Sequence, residues 1–144
     1  MQKDVFLNIA GGLRITDMAM DLSVISAVLS SNVDTPIEAG WCMAGEVGLS
    51  GEVRPVNRIE QRISEAEKLG FQHIIIPRNN AQGLKGKFQI GIHPVAKVEE
   101  ALRLLFGWCV DEMGFSHILG TRPNDEAGYL QIRILSTVEQ TIVV

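Results

Sequence analysis

Apolar and polar positions change period several times along the chain, and these changes predict its helices and strands. Short apolar runs bounded by glycine, proline or polar residues predict strands at "DVFLNIAG", "FQHIIIP" and "FQIGIHPV". Helical spacing predicts one helix capped by Asp17, a second that begins at Asn57 and stops at Gly70, and a third over "AKVEEALRLLFG". Between the first two helices, "WCMAGEVGL" and "GEVRPV" indicate a glycine-punctuated pair of strands. This alternation favours an α/β fold, that is, a layered α+β arrangement.

The pattern changes after Gly107. A turn signal, "RPNDEAG", is followed by "YLQIRIL" and "TIVV", which have strong strand propensity. We therefore divide the chain into a main domain, residues 1–107, and an extension, residues 108–144, whose strands join its own sheet or that of a neighbouring chain. The extension holds 2 Lys+Arg against 5 Asp+Glu, and the main domain 11 against 12, which together make the 13 and 17 of the whole chain.

Composition excludes several classes of protein. Hydrophobic residues make up 46% of the chain and charged residues 21%, as in ordinary globular domains. No apolar run approaches the roughly 20 residues that cross a bilayer, so no membrane association is expected. Two distant cysteines and three scattered histidines predict neither a disulfide framework nor a metal site. We expect a cytoplasmic protein without a cofactor.

Familiar catalytic motifs are missing as well. The chain has no G-x-x-x-x-G-K-[ST] loop to hold nucleotide phosphates. "GLSGE", around Ser50, approaches a G-x-S-x-G elbow but falls in a predicted hairpin rather than between a strand and a helix. His73 and His93 lie on or beside predicted strands with no nucleophile at a diagnostic spacing, which favours packed or surface histidines.

Four segments in order carry a resemblance to a known family: "DVFLNIAGGLRITD", "AMDLSVISAVLSS", "AGEVGLSGEVRPVNRIEQRISEAEKLGF" and "HPVAKVEEALRLLFG". Together they resemble the C-terminal domain of the bacterial RadA (Sms) recombination-repair ATPases. That domain is related to the proteolytic domain of Lon, so the resemblance implies a Lon-like fold, similar to the βαβ two-layer folds of ribosomal-protein type. The four-cysteine motif, the ATP-binding loop and the K-N-R-F-G segment of this family are missing here, which implies that ATP hydrolysis belongs to an ATPase domain outside this chain.

The same resemblance assigns the two positions of the Lon Ser–Lys dyad. The serine position falls on Ala19, within "DMAMD", and the lysine position, counted from "GEVRP", falls on Glu60. Alanine offers no nucleophile and a carboxylate replaces the cation, so the dyad is lost. The sequence also offers a structural role for Glu60, because "NRIE" matches a capping box in which Glu60 bonds back to Asn57.

The resemblance further implies DNA, single-stranded or branched, as a partner, and a homo-oligomeric ring, expected to be a hexamer. Candidate DNA-binding residues are Arg54, Arg58 and Arg62, with Arg14 in addition. Arg58 and Arg62 are one helical turn apart, and arginine forks suit phosphate oxygens. The alternative for each arginine is an ion pair with a nearby glutamate or with a neighbouring subunit.

The leading hypothesis is therefore a catalytically inactive Lon-like domain that assembles rings and contacts DNA without regard to sequence. Two alternatives stay open. One is a Lon-like serine peptidase with relocated catalytic residues, for which Ser23, Ser26 and Ser50 are the available hydroxyls. The other is a pure assembly module that makes no DNA contact.

Overall fold

The computed structural model describes residues 8–9, 16–107, 131–135 and 139–143, with side chains described for residues 16–107. The strands are β1 (Asn8–Ile9), β2 (Trp41–Met43), β3 (Glu46–Val47), β4 (Val53–Arg54), β5 (His73–Pro77), β6 (Gly91–Val95), β7 (Gln131–Leu135) and β8 (Glu139–Val143). The helices are a 3-10 turn (Met18–Met20), α1 (Asp21–Val33), α2 (Ile59–Lys68), α3 (Arg78–Ala81) and α4 (Val98–Phe106).

A parallel sheet of strand order β2-β5-β6 forms the centre of residues 16–107. Its middle strand is an unbroken apolar run, as expected for a strand that is covered on both faces. Ile75 faces one side of the sheet, and Ile74 and Ile76 face the other, because side chains alternate along a strand. The predicted layered α/β fold is confirmed.

Helices cover both faces of this sheet. On one face α1 and α4 pack against Ile75, with Leu22 and Leu102 fully or almost fully buried. On the other face α2 packs Ile63 and Ala66 against the remaining isoleucines of β5. The helical spacing of Ile59, Ile63, Ala66 and Leu69 predicts one apolar face, and the structure buries the first three of these residues but leaves Leu69 48% exposed.

α1 packs both large and small residues against the sheet: Leu22 is fully buried, and Ile25 and Leu29 are partly buried against the same core. Met18, just before the helix, is 64% exposed, while the stripe against the sheet consists mainly of small residues. These buried positions are Leu22, Ser23, Ser26, Ala27 and Ser30. Small side chains allow close approach, and the Ser23 hydroxyl donates to the Met43 carbonyl of β2 at 3.4 Å.

The beginning of α2 differs from the prediction. The helix starts at Ile59, and its N-cap is Arg58 in the left-handed conformation (φ 56°, ψ 39°), without a side-chain capping bond. The predicted N-cap at Asn57 and the capping box are therefore wrong. The end of α2 agrees with the prediction: Gly70 adopts φ 86°, and its amide bonds the Glu67 carbonyl.

The predicted glycine-punctuated pair of strands is the antiparallel hairpin β3–β4, in which Glu46 pairs with Arg54 and Val47 with Val53. The hairpin is fastened to α1, because the Asp21 carboxylate accepts the Val47 amide at 3.2 Å. Its tip carries Leu49, which is fully exposed.

A second sheet, of strand order β1-β8-β7, is antiparallel throughout. β7 lies within "YLQIRIL", and β8 overlaps "TIVV", so both segments of strand propensity contain strands. β8 pairs with β1 near the start of the chain. The division of the chain after Gly107 stays a prediction.

Candidate functional site

Ala19, the position assigned to the serine of the dyad, lies in the 3-10 turn and is 4% exposed. Asp17 caps this turn as predicted, because its Oδ1 accepts the Ala19 amide at 3.0 Å. The Ala19 carbonyl accepts the Gly45 amide at 2.8 Å, which fixes the turn against the start of the hairpin segment. A methyl group held in this way has no nucleophilic or acid–base chemistry.

Glu60, the position assigned to the lysine, lies in the first turn of α2 and is exposed. Its Oε1 accepts the backbone amides of Lys85 at 2.7 Å and of Gly86 at 3.4 Å. The carboxylate therefore holds a distant loop instead of closing a capping box on its own helix. Carboxylates are acceptors and suit this task, whereas a lysine ammonium would not.

An ion pair joins the segments that carry these two positions. Arg62 Nη2 lies 2.6 Å from Asp17 Oδ2, with the two side chains 19% and 37% exposed. The Nε of Arg62 also donates to the Asn57 carbonyl at 3.1 Å. Arg62 thus links the 3-10 turn, the connection before α2 and α2 itself, a contact across 45 positions of sequence.

Arg54 is engaged within its own hairpin. Its guanidinium lies 2.7 Å from Glu52 Oε1 and 3.5 Å from Glu46 Oε1. Glu52's own backbone amide, and then the Arg54 side chain, hold the pKa of the Glu52 carboxyl below its usual range. The Glu52 carboxylate in turn raises the pKa of Arg54.

The remaining candidate arginines differ from these two. Arg58 is exposed and makes no ion pair or side-chain hydrogen bond with any residue in the described part of the chain. Arg14 lies outside the described residues. DNA contact by Arg14, Arg54, Arg58 and Arg62 stays a prediction, and the structure adds that carboxylates already occupy two of the four.

The serines proposed as substitute nucleophiles have no lysine partner among residues 16–107. Ser23 bonds the Met43 carbonyl, Ser26 is fully buried, and Ser50 lies in the exposed hairpin turn with its amide on Glu52. A serine nucleophile needs an adjacent base to take its proton. This geometry does not assemble one in the described residues.

Two histidines that are not paired by any sequence motif, His73 and His93, contact each other in the structure. His73 Nδ1 lies 3.1 Å from His93 Nε2, and Trp41 stacks on His73 with ring centroids 4.5 Å apart. Burial, and to a lesser extent the charge of His73, lower the pKa of His93. His73 begins β5 and pairs in register with Gly91, two residues before His93 on β6, so the two histidines lie on the same face of the sheet. This alternation along two neighbouring strands is the sequence signal that could have paired them.

Within the described ranges, no three side chains among histidine, cysteine, aspartate and glutamate gather in a way that could hold a metal ion. The helices of the same ranges are too short or too polar to cross a membrane.

Comparison with known proteins finds relatives that are named as DNA repair proteins. "DNA repair protein RadA" of Bacillus subtilis is 47% identical over 105 residues, which are 73% of this chain and 23% of that protein. The proteins of the same name from Streptococcus pneumoniae and Listeria monocytogenes are 43% identical over 104 residues and 44% identical over 101 residues. These matches cover 72% and 70% of this chain, and 25% and 22% of those proteins. The chain spans about a quarter of the length of these curated relatives.

A family model described as "Subunit ChlI of Mg-chelatase" matches residues 1–80, more than half of the chain. The chain therefore belongs to the family that this model describes, and it is related in sequence to the RadA DNA repair proteins.

Proposed function

We propose that this chain is a non-catalytic Lon-like domain of a RadA-type DNA repair protein, which contacts DNA through its phosphates and takes part in ring assembly. The observation that carries the proposal is that neither dyad position holds a catalytic side chain, in a chain whose relatives are named as DNA repair proteins. Ala19 is a buried methyl group, and Glu60 is engaged by loop amides. Nothing at these positions can attack a peptide bond.

Arg58 supports the DNA part of the proposal. Its guanidinium is exposed and unpaired in the described part of the chain, and its backbone has a left-handed conformation that few non-glycine residues adopt. Phosphate contacts by such a side chain give affinity that is independent of sequence and weakens with salt. To contact DNA as well, Arg54 and Arg62 would have to release their carboxylate partners and bind a phosphate instead.

The assembly part is supported by exposed apolar residues. Leu49 at the hairpin tip is fully exposed, and Met18 beside the 3-10 turn is 64% exposed. A contact between two different surfaces of identical subunits produces a ring when its rotation closes. The expected outcome of analytical ultracentrifugation is a closed oligomer, and a monomer at all concentrations would contradict this part.

The experiment for DNA contact is fluorescence anisotropy of a labelled single-stranded oligonucleotide with the 144-residue chain, repeated over a salt series. Arg58→Gln is compared with Arg103→Gln, which removes from α4 another exposed arginine that has no ion pair within the described residues. On single-stranded DNA each lost phosphate contact reduces the slope of log K against log salt by about 0.7. We expect this reduction for Arg58→Gln and an unchanged slope for Arg103→Gln. Equal reductions would contradict a specific role for Arg58, and no salt-sensitive binding by the wild type would refute DNA contact.

The peptidase alternative has a separate test. The wild-type chain should not turn over a fluorogenic peptide, and a serine-reactive probe should not label it. Turnover that Ser50→Ala abolishes would refute the non-catalytic proposal.

A further inference from the structure

The cations of residues 16–107 divide into two groups according to their partners. One group is held by carboxylates: Arg54 by Glu46 and Glu52, Arg62 by Asp17, Lys68 by Glu65, and Arg78 by Glu100. The other group makes no ion pair with any described residue, and its members are Arg58, Lys85, Lys87, Lys97 and Arg103. Three members of this second group lie beside α2: Arg58 and Lys85 are near its amino end, and Lys87 is further along it.

Residues 84–90, called here the lysine loop, lie along α2. Glu60 accepts the amides of Lys85 and Gly86, and Glu67 accepts the amides of the last two loop residues. Glu60 and Glu67 are two helical turns apart, so they share one face of α2. The loop is therefore tied at both ends to a single helix, with Lys85 nearest to the end that carries Arg58.

The lysine loop is also anchored on the side that faces the core. Leu84 and Phe88 pack against the core on the α2 face of the sheet, and the Phe88 ring lies directly over Gly86. The Asn80 side chain bonds both the amide and the carbonyl of Val56, at 2.8 and 3.0 Å, which fixes the approach to the loop against the segment before Arg58. Apolar anchors on the inner side leave the lysine side chains on the outer side, where both are exposed.

The charges of this surface are segregated. The two carboxylates, Glu60 and Glu67, belong to α2 and are directed to backbone amides of the loop. The ammonium groups of Lys85 and Lys87 have no carboxylate partner in the described residues. The amino end of the α2 dipole adds positive potential beside Glu60 and Arg58. Three exposed cations without carboxylate partners in the described residues are therefore carried here by a backbone that is already fixed.

We infer that the lysine loop, together with Arg58, is a binding surface for the phosphodiester backbone of single-stranded DNA. This inference rests on the proposed function and names residues of the DNA contact that the sequence had not singled out. Lysine ammonium groups act as point charges on phosphate oxygens, so the surface binds without selecting a base sequence. The order imposed by Glu60 and Glu67 lowers the conformational cost of binding, because the loop backbone is held before DNA arrives.

The test compares three forms of the 144-residue chain in the anisotropy assay: wild type, Lys85→Gln/Lys87→Gln, and the charge-matched control Lys68→Gln/Lys97→Gln. Each phosphate contact on single-stranded DNA contributes about 0.7 to the slope of log K against log salt. Loss of two contacts should therefore reduce this slope by about 1.4. If the curves converge near 1 M salt, this change corresponds to roughly 25-fold weaker binding at 0.1 M. The control should keep the wild-type slope, and thermal unfolding should confirm that all three forms are equally folded.

Three outcomes would overturn the inference, and they are distinguishable. A wild-type slope in Lys85→Gln/Lys87→Gln would remove the lysine loop from the contact and leave the proposed DNA contact standing. Equal losses in both double variants would indicate that net charge alone determines binding. No salt-sensitive binding by the wild type would refute the inference together with the proposed DNA contact.

Discussion

Removal of the ion pair between Asp17 and Arg62 should destabilise the chain by a measurable coupling energy. A hydrogen bond to a charged group contributes about 1.5–3 kcal/mol to stability, whereas an exposed ion pair contributes about 0.2–1 kcal/mol. At 19% and 37% exposure the two side chains lie between these limits. We therefore expect a coupling of about 1–1.5 kcal/mol.

The substitutions are Asp17→Asn, Arg62→Gln and both together. Asparagine caps a helical turn as well as aspartate does, so Asp17→Asn keeps the hydrogen bond to the Ala19 amide and removes only the charge. Asp17→Ala would lose the cap as well and should cost about 1 kcal/mol more. The free energy of unfolding is measured by urea titration with circular dichroism, at one protein concentration because oligomers gain stability by mass action.

A matched cycle on Lys68 and Glu65 provides the control. This pair is also in direct hydrogen-bonding contact, with Lys68 Nζ 2.9 Å from Glu65 Oε1. Its side chains, however, are 67% and 51% exposed and lie one helical turn apart. It should couple by only about 0.3–0.5 kcal/mol. If the Asp17 and Arg62 variants are additive within about 0.5 kcal/mol, the error expected for independent sites, the ion pair does not join the two segments energetically.

Three further predictions concern single side chains. Glu60→Ala should destabilise the chain by about 1 kcal/mol and speed hydrogen exchange of the Lys85 and Gly86 amides. Glu60→Gln keeps an acceptor oxygen, so it should cause a smaller loss of stability and a smaller rise in exchange. Equal exchange in all three forms would contradict the contact between Glu60 and the loop. Burial raises the pKa of the Cys42 thiol to about 12, so at pH 8 about one molecule in ten thousand carries the thiolate. In a Cys109→Ser background, alkylation should therefore require unfolding, and rapid labelling of the folded chain would refute this. The pKa of His93 lies below its ordinary value of 6.5, so the stability that neutral His93 contributes should be complete above about pH 6.5 and decline as the pH falls through the folded value. His93→Gln should flatten this decline in urea titrations at several pH values, and an unchanged decline would assign it to other groups.

The part of the fold that sequence could predict depends on repeated, local signals. The buried face of α2 follows from apolar residues at helical spacing, and β5 from an unbroken apolar run between turn signals. For α1 the apolar residues Leu22, Ile25 and Leu29 do pack in or against the core, as their helical spacing predicts. The burial of Ser23 and Ser26 did not follow, because hydrophobic spacing carries no signal for small polar residues.

The candidate site shows more clearly which contacts the sequence could not predict. The partner of Arg62 is Asp17, which lies 45 positions away, and no local spacing connects the two. The partners of Glu60 are backbone amides, which every residue except proline offers, so the sequence carries no sign of which loop it will hold. The nearby "NRIE" pattern predicted a capping box, but the left-handed Arg58 alters the start of the helix and leaves the carboxylate free to turn toward the loop.

The charged residues on and beside α2 are of two kinds. Arg62 and Glu60 make the long-range contacts that fix the 3-10 turn and the lysine loop. Arg58 and the two loop lysines remain without carboxylate partners in the described residues. A residue that fixes the backbone cannot be released for a ligand without loss of stability, whereas an unpaired surface cation can meet phosphate at no such cost. This difference favours Arg58 and the loop lysines over Arg54 and Arg62 as the DNA contact, although all the candidate arginines whose side chains are described lie close together in sequence.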